Sequence, residues 1–243
     1  MSDVATGPAP AARGVVTVAF CPCPPLLVPA VARGAAAETA DLRAACHDAV
    51  EALLAIRPEV VLVVGDGVPD GVRYGPGDAG DLRGFGVALT VPFSGGVRPG
   101  GRRLPLAHTI GAWLLDQAGH GGSRLGVGPG DLADALAGPA SLPGPVGVLA
   151  MGDGSARRTL KAPGYLDPAA GPFDATVAAA MSSGNAEALG GLDLADAGRL
   201  LAAGAPAWSA VGGALSGRRP IATMRYDDAP YGVGYLVADW HVP

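Results

Sequence analysis

Apolar runs alternate along this chain with longer segments of helical periodicity. Val15–Phe20, Val60–Val64 and Val146–Met151 are largely apolar, which is typical of strands covered on both faces of a sheet. Ala35–Ile56 repeats apolar residues near helical spacing until Pro58 stops the pattern. Strands that alternate with helices predict the α/β class, as a layered α/β/α domain with a mostly parallel or mixed central sheet.

The remaining elements follow from the same patterns. We predict strands at Val87–Val91, Ile221–Tyr226 and Gly234–Trp240, a Gly- and Asp-rich loop at 66–84, and helices at Pro105–Ala118, Asp131–Leu136, Pro172–Ser182, Asp193–Ala203 and Ala207–Leu215. Residues 1–13 are small and rich in proline, so we expect a disordered tail there. No repeat or charged linker divides residues 14–243, which predicts a single domain.

Composition narrows the class of protein. The 243 residues include 39 glycines and 23 prolines, a level that disordered chains reach. Disordered chains are poor in apolar residues and rich in charge, whereas this chain is 49% apolar and 16% charged. The formal net charge of −5 gives no electrostatic basis for binding nucleic acid or an anionic membrane.

An uncharged stretch at residues 14–32 resembles a membrane segment only in its hydropathy. Four prolines within it break a helix, and no basic segment or cleavage site marks it for export. We therefore expect a buried strand followed by a rigid loop. Three cysteines without an export signal are typical of the cytoplasm, where thiols stay reduced.

Polar loops follow several of the predicted strands. Cys21–Pro25, Gly65–Gly67, Gly152–Ser155 and Tyr226–Asp228 come directly after apolar runs. Ligands of open α/β sheets bind beyond the carboxyl ends of the strands, so these loops predict a binding site at one sheet edge.

The residues of these loops also have ordinary structural roles. Cys21 and Cys23 lack the second ligand pair of a zinc site, which favours buried, inert thiols. Asp66 fits a cation ligand or a turn equally well, and Asp153 and Ser155 fit a turn or a helix cap.

The four histidines do not form a recognisable catalytic or metal-binding pattern. His47, His108, His120 and His241 are scattered, without metal-ligand spacing. We expect them at surface or capping positions. The absence of Gly-x-Ser-x-Gly leaves a hydrolase triad without its usual nucleophile.

Three segments, in order, resemble the LigB-type catalytic subunit of class III extradiol ring-cleavage dioxygenases, a superfamily that includes the MEMO proteins. Pro22–Pro29 resembles the family's Pro-His-Pro-Pro-hydrophobic-Val-Pro motif. Gly152–Asp174 resembles its Gly-Asp-Leu-Ser-His-Arg stretch and the Phe-Asp helix start that follows. Asp228–Tyr235 is similar to its Glu-Ala-Pro-Phe-Gly-Val-Gly-Tyr motif. The resemblance implies a LigB-like domain over residues 14–243.

The resemblance also implies positions for the family's chemistry, in which two histidines and a carboxylate hold Fe²⁺ and a further histidine is the acid/base. Cys23 falls on the first metal histidine, Asp66 near the second and Asp228 on the carboxylate. The acid/base histidine falls on Pro99–Gly101, and the Ser-His pair corresponds to Ser155 followed by alanine. No histidine stands at any of these positions.

Two hypotheses follow from this departure. The first is a binding or partner subunit without ring cleavage, in which Fe²⁺ is absent or replaced by another divalent cation. The alternative is an active metal-dependent oxidoreductase, ring-opening or of altered chemistry, that uses Cys23, Asp66 and Asp228. Expected partners are a small aromatic or other small molecule, and a second copy or another subunit. The candidate pocket residues are Pro24, Asp153, Ser155 and Arg157.

A third hypothesis treats the resemblance as accidental and the chain as another kind of α/β enzyme. It predicts that the loops at 21–25, 66 and 228 do not converge.

Overall fold

A six-stranded sheet with helices on both faces forms the centre of the molecule, and the predicted α/β class is confirmed. The structure, a computed structural model, describes residues 16–137 and 144–243. The strands are Val16–Cys21 (β1), Val60–Val64 (β2), Ala79–Asp81 (β3), Thr90–Pro92 (β4), Ser123–Val127 (β5), Val146–Met151 (β6), Ile221–Asp228 (β7) and Tyr235–Val242 (β8). The helices are Pro29–Ala32 (α1), Ala40–Leu54 (α2), Leu106–Gln117 (α3), Leu132–Ala137 (α4), Ala170–Ser183 (α5), Ala186–Gly190 (α6), Leu194–Arg199 (α7) and Ala205–Ala214 (α8).

The sheet is mixed and mostly parallel, in the order β5-β2-β6-β1-β8-β7. β5, β2, β6 and β1 run parallel, and β8 pairs antiparallel with both β1 and β7. Val18 of β1 pairs with Val148 on one side and Trp240 on the other. The carboxyl ends of β1, β2 and β6 therefore share one edge with the end of β7 and the start of β8.

Both faces of the sheet are buried, which explains the continuous apolar runs. Along β2, Leu62 packs into the core on one face, while Val61 and Val63 pack into the core beneath α2 and α3 on the other. On the Leu62 face, Phe20 meets Trp240 edge to face at 4.9 Å, and the indole N–H of Trp240 donates to the Met181 carbonyl at 2.7 Å. Burial of aromatic area on this scale dominates the energetics of a core.

The hydrophobic pattern of the sequence did not predict the edge strand β5. Its sequence contains Arg124, an unusual residue in a core strand, yet the side chain is buried. The guanidinium is paired with Asp116 at 2.7 Å and donates to the carbonyls of Phe93 and Ala112. Such partners offset the cost of removing a charge from water, and they permit arginine at this position.

Several predicted boundaries were wrong. The long helix begins at Ala40, because 3₁₀ turns occupy the residues before it, and the strand expected at Val87–Val91 starts at Thr90 in the small sheet β3–β4. The helix predicted at Asp193–Ala203 is the shorter α7, and α6 was not predicted. The expected tail at 1–13 lies outside the described residues. Within them, no helix combines the length and apolarity required to cross a membrane.

Asp174 in α5 fixes the loop that follows β6. This fully buried carboxylate accepts the N–H of Ser155 at 2.8 Å and pairs with Arg158 at 3.0 Å. Burial raises the pKa of Asp174, and the hydrogen bonds from Ser155 and Arg158 oppose that shift. The loop is therefore held by a buried group whose loss leaves two partners unsatisfied.

We expect Asp174→Ala to lower the free energy of unfolding by about 2–4 kcal/mol, because the Ser155 N–H and the Arg158 guanidinium lose the carboxylate that accepts their hydrogen bonds. Urea denaturation followed by tryptophan fluorescence measures the loss. Asp196→Ala is the matched control: it removes an ion pair with Arg199 on the exposed surface, and we expect little change. Equal losses in the two variants would contradict this role of Asp174.

Candidate functional site

The loops after β1 and β6 are joined by two hydrogen bonds. The N–H of Gly152 donates to the Cys21 carbonyl at 3.0 Å, and the N–H of Cys23 donates to Oδ1 of Asp153 at 2.7 Å. Prolines occupy positions 22, 24 and 25 and have no N–H, so Cys23 supplies the only backbone donor of this segment. The sequence around Cys23 thus directs one donor towards the Asp153 carboxylate.

The loop after β2 lies beside them. Gly65 is close-packed: a Cβ there would lie 2.6 Å from the Ala107 side chain and 3.3 Å from the Met151 carbonyl. This contact sets β2 and its following Asp66 against the end of β6. Asp66 itself is exposed, and its charge acts on both Cys23 and Asp153.

The segment between β7 and β8 closes the other side of the site. Asp228, the last residue of β7, pairs across the strands with Tyr235, the first of β8. Gly234 donates to the Ser155 carbonyl at 2.9 Å and accepts from the N–H of Gly154 at 2.7 Å. Tyr235 is consequently buried beside the Cys23 and Asp153 loops.

The electrostatics of this strand-end site, defined as Cys23, Asp66, Asp153 and Tyr235, favour protonated groups. Burial, reinforced by Asp153 and Asp66, raises the pKa of the Cys23 thiol well above its usual value. Burial raises the pKa of Asp153 to about 6, although the N–H of Cys23 opposes the shift. Burial and the Asp153 charge raise the pKa of Tyr235, and partial loss of water raises the pKa of Asp66. All four groups are acids.

Of the pocket candidates, Asp153 is the one whose side chain accepts a hydrogen bond from Cys23. Pro24 is buried and precedes a 3₁₀ turn. The buried hydroxyl of Ser155 donates to the Leu200 carbonyl at 2.8 Å. Arg157 donates to the carbonyls of Gly164 and Arg199, both at 2.9 Å. The side chains of Ser155 and Arg157 thus hold neighbouring loops together.

Cys23, Asp66 and Asp228 all lie at the same sheet edge without forming a compact set of ligands. In residues 16–137 and 144–243, only one group of three His, Cys, Asp or Glu side chains has ligand atoms all within 4.8 Å, and it does not include them. Asp228 is exposed, and its carboxylate accepts the N–H of Ala229 at 2.7 Å.

The donor chemistry at these positions does not fit ferrous iron. Non-haem Fe²⁺ sites of this kind use two neutral imidazoles and one carboxylate. Here the set offers two carboxylates and a thiol, and a thiol must lose its proton to bind a metal. The raised pKa of Cys23 opposes that loss.

The one compact group, His47, Asp48 and Glu51, lies on the outer surface of α2. Its imidazole is 3.5 Å from the Glu51 carboxylate, one helical turn away. The Arg225 guanidinium lies 4.0 Å from Asp48 and already balances part of the negative charge. This arrangement matches an ordinary charged helix surface.

The surface or capping position expected for His108 was wrong, because the residue is fully buried in α3. Its Nε2 lies 3.1 Å from the Val127 carbonyl of β5, and its ring packs near Tyr74 at 5.5 Å. Burial lowers the pKa of His108 to about 4, so the ring is neutral at pH 7. The error follows from missing β5, the strand that covers this imidazole.

Sequence reasoning also missed Tyr235 as a site residue. It belongs to the segment Asp228–Tyr235, which the family resemblance singled out, but its proximity to Asp153 depends on the pairing of β8 with β1. The only signal in the sequence that could have indicated Tyr235 was its place as the aromatic residue that ends this motif.

Comparison with known proteins does not assign the chain to a family. No protein-family model matches it, and no curated protein matches it.

We expect the raised pKa of Asp153 to appear in the pH dependence of stability. Between pH 4 and 6 the Asp153 carboxyl binds more protons in the folded state than in the unfolded state. Its contribution to the free energy of unfolding is therefore present below pH 4 and is lost as the pH rises through 6. Relative to Asp153→Asn, the wild type should lose about 2 kcal/mol from pH 4 to pH 7.

Urea unfolding of both proteins across this range measures the effect. Every other titrating group is shared, so the difference between the two curves isolates Asp153. A constant difference between pH 4 and 7 would contradict the shift.

Proposed function

We propose that this chain has the LigB-type fold and acts as a binding or partner subunit without ring-cleaving activity. The observation that carries the proposal is the contact between Cys23 and Asp153, where the loops after β1 and β6 meet. The family resemblance puts a metal histidine at Cys23, and in this chain that position carries a buried thiol, whose pKa burial and the neighbouring Asp153 raise. The segments that resemble the family also meet at one sheet edge, which supports common ancestry.

The charges at the strand-end site disfavour ring cleavage. That reaction requires a catecholate anion and O₂ held on one metal ion. Cys23, Asp153 and Tyr235 have raised pKa values because burial and neighbouring negative charge oppose ionisation, and an anionic substrate would meet the same repulsion. Loss of the acid/base histidine lowers the rate by a further factor of roughly 10² to 10⁴.

The same groups suit a neutral or cationic small molecule. The Asp153 carboxylate, largely ionised at pH 7 with a pKa of about 6, accepts hydrogen bonds, and the Tyr235 hydroxyl donates them. A cavity of about 670 Å³ is lined by Leu160, Lys161 and Tyr231 among others, and none of the four residues of the strand-end site lines it. Tyr231 donates to Glu38 at 2.9 Å, so the mouth of this cavity also carries a carboxylate. Its volume falls in the range of small-molecule sites, and an aromatic ligand fits this lining.

A cytoplasmic location is part of the proposal. The three cysteines are free and buried, as expected for thiols that are not needed for disulfides. The alternative, a metal-dependent oxidoreductase that uses Cys23, Asp66 and Asp228, requires these residues to close around one ion and Cys23 to ionise.

The test loads the wild type and the double variant Cys23→His, Asp66→His with Fe²⁺ under anaerobic conditions. Iron per chain is measured after desalting, and O₂ uptake is then followed with a panel of catechols. We expect no stoichiometric iron and no catalytic uptake in the wild type. The double variant places two imidazoles at the same sheet edge as Asp228 and should bind iron about tenfold more tightly or better. Asp70→His, on the exposed part of the same loop, is the control for an added imidazole.

The two parts of the proposal fail separately. Stoichiometric iron with catalytic O₂ uptake in the wild type would refute the binding-subunit assignment. A double variant that binds iron no better than the Asp70→His control would count against the LigB-type arrangement of these positions.

A further inference from the structure

A second cavity, of about 530 Å³, lies beside the small sheet β3–β4. Three arginines line it, Arg73, Arg98 and Arg102, together with one carboxylate, Asp78, and several glycines. Three guanidiniums against one carboxylate make this cavity positive, although the chain as a whole carries a formal charge of −5. The positive charge is thus concentrated locally and is not a property of the whole surface.

The arginines are positioned by backbone carbonyls. Arg102 donates to the Arg73 carbonyl at 2.8 Å, and Arg98 donates to the carbonyl of Pro76. In the part of the chain that the structure describes, none of the three forms an ion pair, and the Arg73 side chain makes no hydrogen bond. Each guanidinium has five N–H donors, so most of their donors remain available to a ligand.

The Asp78 carboxylate is hydrogen-bonded to the backbone of the loops around the cavity. The residue is buried, and its two carboxylate oxygens accept the N–H of Gly75 at 2.9 Å and the N–H of Arg102 at 2.8 Å. These bonds join the two loops that form the cavity walls. The one negative group of the lining is therefore committed to the backbone.

Glycines allow the two loops to approach. Gly77 has φ +96°, and a Cβ there would lie 1.9 Å from Nε of Arg98. A Cβ on Gly101 would lie 2.1 Å from the Gly77 carbonyl oxygen. The absence of a side chain at position 77 leaves room for the Arg98 guanidinium across the 75–78 loop, and the three arginines that line the cavity are exposed to solvent.

We propose that this cavity binds a small molecule that carries a dianionic oxyanion group, either a phosphoryl group or a pair of carboxylates. The planar guanidinium donates two parallel hydrogen bonds to such groups, which makes arginine the usual partner of phosphate and carboxylate. Three guanidiniums match a double negative charge. The volume exceeds that of the anion alone and leaves room for the organic part of the ligand. This site is independent of the function proposed for the strand-end site.

Isothermal titration calorimetry at low ionic strength tests the proposal with inorganic phosphate, pyrophosphate and succinate as probes. We expect one saturable site, weakened by added salt. Arg73→Gln and Arg98→Gln should each weaken binding about tenfold. Arg83→Gln is the matched control, since Arg83 is exposed on the same part of the molecule but does not line the cavity, and it should leave the affinity unchanged.

Preference for the phosphate probes assigns a phosphoryl ligand, and preference for succinate assigns a dicarboxylate. The proposal is wrong if no probe saturates the wild type, or if Arg83→Gln loses as much affinity as Arg73→Gln. Binding of polyglutamate without binding of any small anion would also overturn it, because that result indicates a protein surface. Thermal unfolding checks each variant, and the Arg73 side chain is not needed for any hydrogen bond in the described residues.

Discussion

The strand-end site depends on the hydrogen bond from the Cys23 N–H to the Asp153 carboxylate. This hydrogen bond in turn depends on the parallel pairing of β1 with β6. The pairing brings two strand ends to one edge, and the flanking prolines leave Cys23 as the single donor. Because the Asp153 carboxylate is buried beside the loop after β1, it is removed from water and its pKa is raised. The Cys23 thiol and the Tyr235 hydroxyl then lie beside an acid, and each keeps its own proton.

This arrangement changes what the resemblance to ring-cleaving dioxygenases means. The segments that resemble that family bring Cys23 to this sheet edge, and its buried thiol resists ionisation. A cation would have to displace protons from the thiol and compete for the carboxylates. Binding of a neutral or cationic ligand needs no such displacement.

The sequence predicted the central strands well because both faces of the sheet are buried, which leaves continuous apolar runs such as Val60–Val64. It failed at β5, where the ion pair of Arg124 with Asp116 permits a charged residue inside the core. The same omission placed His108 at the surface. Local periodicity does not reveal that α3 supplies Asp116 to Arg124, or that β5 covers His108.

The candidate site was predictable to a similar extent. Cys23, Asp66 and Asp153 follow apolar runs, so their common edge could be inferred from strand polarity. Tyr235 could not, because its position depends on the antiparallel register of β8. The arginine-lined cavity depends on loops brought together by Gly77 and Gly101, whose contacts no periodicity encodes.

The most direct measurement is the titration of the Asp153 carboxyl by carbon-13 NMR, assigned through its loss in the Asn variant. A midpoint near pH 6 is the expected result, since burial beneath the Cys23 loop disfavours the charged form. A midpoint at or below the usual value for aspartate, about 3.9, would mean that the carboxylate is solvated or paired with a cation. The raised pKa of Asp153 on which the account of the strand-end site depends would then be wrong.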